Sequence, residues 1–354
     1  MVLQKRGEPM ATLILEDGTR FEGTLFGHKG NAAGEVVFTT GMAGYQETMT
    51  DPACAGQIIC MTYPLIGNVG INDLDFESAG VHCAGVVISE LCDLPSNWQI
   101  KRSLEDYLAE QGVTGLYGVD TRALTRHLRT AGVMRGRIVA DDAQEDAVKA
   151  ARYTCEAAYE MKAEGSLTFA VLDLGVKKSV LTALCDRGVS LKVYPATASA
   201  KEVLEGGCDA CFITSGPGKP EDYPQQVETV RELMAAKPCM GIALGHQLMA
   251  LAAGGAVKAL RYGHHGSNLP VKDLEHSTCY ITAQHVGYTV DPEKLPEGAK
   301  ITHVNSNDQS VEGLRYEGGL SCSVQFYPDA GRGLYKSVDL YDEFIAAVRD
   351  AMAK

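Results

Sequence analysis

Two rhythms of apolar and polar residues divide this chain. Through residues 11–150, short apolar runs of β character are broken by Gly, Pro and Asn, as in ATLILEDGTRFEGTLFG, GEVVFTTG, GQIICMTYPLIGN and CAGVVISEL. β-Branched and aromatic residues favour a pleated chain, and the breakers end each run. The Asp-Gly pair of LEDGT, set between two apolar segments, predicts a hairpin. Two stretches keep a helical spacing instead, at 103–112 (SLEDYLAEQG) and 121–131 (TRALTRHLRTA). Asp120 stands before the second as an N-cap, with Arg122 exposed or at an interface. The pattern predicts a β-rich α+β domain over 1–150. Residues 141–165 are polar, Ala-rich and helix-prone, and a connecting segment is expected over 151–166.

Beyond that segment the rhythm changes. Apolar runs alternate with helix-length segments: LTFAVLDLG, KKSVLTALCDRG, VSLKVYPA, SAKEVLEGG, ACFITSGPG, PQQVETVRELMAAK, PCMGIALG and HQLMALAAGG. Strand–helix alternation of this length predicts βαβ units and a doubly wound parallel sheet over 167–354. In such sheets ligands bind beyond the carboxyl ends of the strands. Both Gly-rich turns, Ser215-Gly216-Pro217-Gly218 and Gly241-Ile242-Ala243-Leu244-Gly245, fall at such ends.

The second turn has the form of a nucleophile elbow. Glycines flanking a strand-to-helix turn permit a sharp, strained bend, and the central side chain stands at a helix N-terminus. A Cys there would have its thiolate stabilised by the helix dipole, with backbone N–H groups for an oxyanion. This chain has Ala243 at the centre, and a methyl group cannot attack a carbonyl. Cys239, four residues earlier, falls inside the preceding strand and reads as a core residue.

PCMGIALGHQLMALAAGG resembles the nucleophile segment of class I (triad) glutamine amidotransferases, where Cys stands at the position of Ala243. ITSGPGKPEDY, RYGHHGSNLPVKD, TAQHVGYTVD and SVQFYPDA are similar, in order, to later motifs of that family. The first half is more specific: GEVVFTTGMAGYQETMTDPACAGQIICMTYPLIGNVGIN and LPSNWQIKRSLEDYLAEQGVTGLYGVDTRALTRHLR resemble the N-terminal domain of carbamoyl-phosphate synthetase small subunits. The resemblance runs over about residues 11–350. It implies an N-terminal β-rich α+β domain followed by a doubly wound amidotransferase domain. The implied activity is glutamine hydrolysis, with ammonia passed to a large subunit that makes carbamoyl phosphate for arginine and pyrimidine synthesis.

The family's His-Pro-Glu motif reads Tyr327-Pro328-Asp329 here. A phenol is ordinarily protonated at neutral pH and is a poor general base. All three positions implied by the resemblance as a catalytic triad, Ala243, Tyr327 and Asp329, are therefore altered. An engineered Cys→Ala exchange would account for Ala243 but not for the other two. For glutamine the resemblance implies Gly41, Gly216, Gly218, Leu244, Gln247, His285, Gly287 and Tyr288. Lys219 and His285 depart from it, since an acidic residue or Asn is common at the first and Asn at the second. A rescue by His285 is conceivable but would lack a thiol to activate. The implied reading is a subunit with its glutaminase step lost and a complex dependent on ammonia. The alternative is a regulatory module that senses glutamine or another amino acid.

Composition narrows the partners. The chain is 45% hydrophobic and 22% charged with a net charge of −13, which disfavours nucleic acid or an anionic membrane as partner. The expected partner is a synthetase large subunit, with glutamine as a possible ligand. No Walker-type phosphate loop is present, so no cofactor is expected on this chain, and the resemblance implies ATP and Mg on the large subunit. No apolar run reaches membrane-spanning length, MVLQKRGEPMATLIL lacks a secretory h-region, and residues 1–9 read as an extension. Eleven irregularly spaced cysteines point to a reducing cytoplasm, and neither Cys208/Cys211 nor His264/His265 has the support a metal site needs. Trp98, the one tryptophan, reads as a packing anchor.

Overall fold

The computed structural model describes residues 9–140, 153–328 and 340–353. Residues 1–8 of the expected N-terminal extension, residues 141–152 of the helix-prone stretch and Asp329 lie outside the described residues. The chain divides into two compact units, residues 1–152 with 261–265, and residues 153–260 with 266–354.

In the first unit nine strands run in chain order: β1 Met10–Leu15, β2 Arg20–Gly27, β3 Ala32–Thr39, β4 Gln57–Met61, β5 Leu65–Ile66, β6 Gly85–Val87, β7 Glu90–Leu91, β8 Thr114–Tyr117 and β9 Met134–Ala140. Seven of them close a barrel in the order β1-β2-β8-β6-β4-β3-β9, and β5 and β7 form a separate parallel pair. The turn holding Asp17-Gly18 joins β1 to β2 as an antiparallel hairpin, with Gly18 at φ 87. Alternation along the strands sends side chains to two clusters. Val36, Phe38, Ile58 and Cys60 pack with Leu124 and Leu128, while Val37, Ile59 and Met61 pack with Tyr107 and Leu108. Helices α1 (Tyr45–Thr50), α2 (Leu104–Gln111) and α3 (Thr121–Ala131) complete this unit. Ser103 Oγ caps α2 by accepting from Asp106 N, and Asp120 Oδ1 caps α3 by accepting from Ala123 N.

Trp98 corrects the expectation drawn from sequence: it is 91% exposed. The loop that carries it is held by its own backbone and by Asn97, which accepts from Gln99 N at its side chain and from Ile100 N at its carbonyl. The indole therefore has no packing duty among the described residues.

The second unit is built on a sheet of ten strands: β10 Tyr159–Met161, β11 Leu167–Asp173, β12 Val189–Pro195, β13 Ala210–Ile213, β14 Cys239–Ile242, β15 Val257–Asp273, β16 Cys279–Val290, β17 Lys300–Asn305, β18 Val311–Arg315 and β19 Cys322–Val324. Its centre, β12-β11-β13-β14-β19, is parallel. Helices cover both faces, as buried parallel strands require. On one side α4 (Lys178–Cys185) and α8 (Leu340–Met352) pack against Phe169, Val171 and Phe212. On the other lie α5 (Ala200–Glu205), α6 (Pro224–Ala236) and α7 (Leu244–Ala252), against Ala170, Leu172 and Ile213. The sheet extends further than a plain doubly wound core, because β18, β16, β15 and β17 add an antiparallel flank and β10 an antiparallel edge. Residues 159–161, expected in a helix-prone connecting segment, are that edge strand. Pairing with β12 overrides the local preference there.

Candidate active site

The parallel strands β13, β14 and β19 lead at their carboxyl ends into Gly216 and Gly218, Ala243, and Tyr327, while His285, Gly287 and Tyr288 lie on antiparallel β16. β14 enters the elbow and α7 leaves it, with Ala243 between them at φ 49, ψ −112. That conformation is costly for any residue with a Cβ and persists only where neighbours over-determine it. Three backbone hydrogen bonds do so: Ala243 N donates to Val324 O (2.9 Å), Gly245 N to Thr214 O (3.0 Å) and Gln247 N to Ala243 O (3.2 Å). The flanking glycines are there for space. A Cβ on Gly245 would lie 2.7 Å from Ile213 C and 2.9 Å from Thr214 O, and one on Gly241 would lie 2.5 Å from Met249 Sδ. The strained turn of a nucleophile elbow is thus complete, around a side chain with no nucleophile. Ala243 itself is 1% exposed.

The other loops close around this turn. Leu174 N donates to Thr214 Oγ1 (2.9 Å) and Ser215 Oγ to Gly175 O (3.2 Å), stitching the loops after β11 and β13 together. Gly216 sits where a Cβ would meet Leu174 C and Leu244 Cδ2, each at 2.9 Å, so only a glycine fits between that loop and the elbow. Gly218, at φ 82, follows in the same loop, whose Pro217 carbonyl accepts from Tyr223 Oη (2.7 Å). Gln247, buried in the first turn of α7, donates to Tyr288 O (2.9 Å). Next to Tyr288, a Cβ on Gly287 would meet open space.

A backbone bridge brings Tyr327 next to β16, the strand of His285. Tyr327 N donates to Ala283 O (3.0 Å), placing the tyrosine beside the strand that carries His285. The Lys177 ammonium stands 4.3 Å from the centre of the Tyr327 ring. Burial, and then the positive charge of Lys177, push the His285 imidazole down to about 4. It is neutral at physiological pH. Cys239 is fully buried in β14, as a core residue. Gly41 belongs to the first unit, in the turn after β3, where its N–H donates to Thr39 Oγ1 (3.4 Å).

Two features were not singled out from sequence. Lys177 follows the carboxyl end of β11, the position that should have raised it as a site residue. Behind the elbow, His246 is fully buried, with Nδ1 paired to Ser323 Oγ (2.7 Å) and Ser323 Oγ in turn to Tyr316 Oη (3.0 Å). Burial and the neighbouring His303 hold His246 down at about 3.

Two family models cover these elements. Residues 13–138 match the carbamoyl-phosphate synthase small chain, CPSase domain, and residues 170–347 match glutamine amidotransferase class-I. The small chain of carbamoyl phosphate synthase from Clostridium perfringens is 44% identical, covering 95% of this chain and 98% of its own. That of Archaeoglobus fulgidus is 41% identical, covering 96% and 99%. The chain belongs to the carbamoyl phosphate synthase small chain family. The small chain of Symbiobacterium thermophilum, 44% identical over 94% of this chain, belongs beside them. Within this family frame the amidotransferase match contains the elbow, the Gly216–Gly218 loop, His285–Tyr288 and Tyr327, while the CPSase match contains Gly41.

The strain at Ala243 makes a prediction. Ala243→Gly removes a Cβ from a left-handed conformation that costs about 1–3 kcal/mol, against about 0.5–1 kcal/mol of added chain entropy in the unfolded state. The variant is expected to be more stable by about 1 kcal/mol and to melt a few degrees higher. A variant that melts below the parent would show that the turn is relaxed with alanine in place.

Proposed function

We propose that this chain is a carbamoyl phosphate synthase small subunit that has lost its glutaminase step and serves a large subunit supplied with free ammonia. The observation that carries this reading is the elbow. Its strained backbone and glycine contacts are intact, yet the central side chain is a methyl group. The candidate base position is a tyrosine packed against an ammonium, and the His285 imidazole has no thiol at position 243 to activate. Loss of the nucleophile alone reduces triad enzymes to the residual rate given by binding and the oxyanion hole.

In this reading the large subunit holds ATP and Mg, and the product feeds arginine and pyrimidine synthesis. A reducing cytoplasm accords with eleven cysteines that are all free thiols. Among the described residues no helix is long and apolar enough to cross a membrane. A protein partner accords with Leu94 and Trp98, 86% and 91% exposed, since exposed aromatic side chains commonly anchor interfaces. Glutamine remains a candidate ligand through Gly216, Gly218, Leu244, Gln247, Gly287 and Tyr288.

The test is carbamoyl phosphate synthesis by the chain reconstituted with a synthetase large subunit, supplied in parallel with ammonium or glutamine. Ammonium is expected to sustain synthesis, with glutamine at least about 1,000-fold less effective. Comparable rates with the two nitrogen sources would mean that residues other than Ala243, Tyr327 and Asp329 do the chemistry.

A further inference from the structure

Helix α3 carries three arginines, Arg122, Arg126 and Arg129, at helical spacings of four and three. At 3.6 residues per turn they share an arc of about 60°, turned away from Leu124 and Leu128, which enter the core. All three are exposed, and neither Arg122 nor Arg126 has an ion pair among the described residues. Arg129 is steadied over the Tyr262 ring, 5.6 Å from its centre, within the same unit. The arginines line a cleft of 530 Å³ together with Thr62, Ser89 and Thr121. On a chain with a net charge of −13, this is a local inversion of sign. Repulsion among three guanidinium groups is tolerable in solvent, but it leaves the cleft poised for carboxylates.

We propose that this cleft receives an acidic segment of the synthetase large subunit, with carboxylates engaging Arg122 and Arg126. The proposal rests on the reading of the chain as a small subunit and names the chemistry of its partner's docking segment. Charge complementarity selects the occupant. A rise of 1.5 Å per residue separates Arg122 from Arg129 by about 10 Å, more than a single phosphate bridges but the span of a few residues of extended chain. Asp120 also lines the cleft, next to Arg122, where its carboxylate opposes a compact multiply charged anion. A row of separate carboxylates can place itself opposite the guanidinium forks and leave Asp120 clear.

The test is association of the full chain with a synthetase large subunit, measured at low and high salt, for the parent and for Arg122→Glu/Arg126→Glu. The parent is expected to bind more weakly as salt rises, and the reversed variant to bind about 100-fold more weakly at low salt with an unchanged melting temperature. Arg122→Gln/Arg126→Gln, which removes charge without reversing it, gives a smaller loss in the same direction and stands in if the reversed variant melts early. Parent-like association of both variants would overturn the proposal while leaving the small-subunit reading intact. Failure of the parent itself to associate would overturn both. Stabilisation of the parent by pyrophosphate, lost in the variants while their association is unchanged, would also overturn it by assigning the cleft to a small anion.

Discussion

Ala243→Cys alone is expected to leave glutamine hydrolysis within about tenfold of the parent, whereas Ala243→Cys/Tyr327→His/Asp329→Glu is expected to raise it by about 1,000-fold or more. The elbow is ready for a thiol. Position 243 already holds the strained conformation, it opens a nine-residue helix, and its own N–H is engaged with Val324 O rather than with the side chain. A cysteine there gains thiolate character from the helix N-terminus. It still needs a group that takes its proton and returns one to the departing ammonia, work worth about 100- to 10,000-fold. Tyr327 offers no such group, and His285, held neutral by burial and by Lys177, lies on the neighbouring strand rather than at the position of the family's base. Imidazole at position 327 would inherit the place beside Lys177, whose charge keeps it deprotonated and able to accept. Because nucleophile and base act as a unit, neither change alone recovers much. The measurement is glutamate released from glutamine. A large gain from Ala243→Cys alone would show that Tyr327 is no obstacle, and no gain from the triple variant would show that the loss extends beyond the triad positions to the pocket.

Local chemistry written into contiguous residues was legible in the sequence. The LEDGT hairpin, the α3 span behind Asp120 and the Gly241–Gly245 elbow each depend on neighbours within a few positions, and each folds as read. The family's motif order carried the rest of the candidate site, including Gly216 and Gln247, whose roles in the turn emerge from contacts between separate loops. What escaped was decided by distant partners. The strand at 159–161 exists because β12 offers it an edge, and the 17-residue strand β15 takes its place between β16 and β17 in the sheet. Lys177 has the composition of any helix-start lysine until Tyr327 is brought beneath it from 150 positions away. His246 looks like a polar residue on an exposed helix face, and only the packing of β19 reveals that it is sealed against Ser323. Trp98 failed in the opposite sense, since a large apolar side chain enters a core only if the surrounding loop has need of it.

Three buried imidazoles, His246, His285 and His303, all lowered by burial, set the acid limit of the second unit. His246 is held down at about 3 and His285 at about 4, both from an ordinary value of 6.5, and in both burial is the leading cause. Lowered values in the folded state mean that the neutral rings favour folding above pH 6.5, and that this contribution is lost as pH falls from there toward the folded values. Between pH 7.5 and 5 His246 and His285 each cost about 2 kcal/mol, about 4 kcal/mol together, or roughly a 1,000-fold shift toward the unfolded state, and His303 adds in the same direction. The carboxylates of Asp273 and Glu275, also lowered, act in the same direction but below this window, because their ordinary values lie near 4. His276 opposes the trend, since the Asp273 carboxylate raises it and its contribution is lost as pH rises. It is fully exposed, where water and salt screen the pair. Denaturant unfolding followed by far-ultraviolet circular dichroism at a series of pH values is the appropriate measurement, because tryptophan emission reports only on exposed Trp98 in the first unit. His285→Asn, which keeps a polar side chain but cannot titrate, is expected to remove its own part of the slope, about 2 kcal/mol between pH 7.5 and 5. A midpoint that stays constant from pH 7.5 to 5 would mean that water or a mobile neighbour already meets the charge of these rings, and that their surroundings are wet rather than sealed.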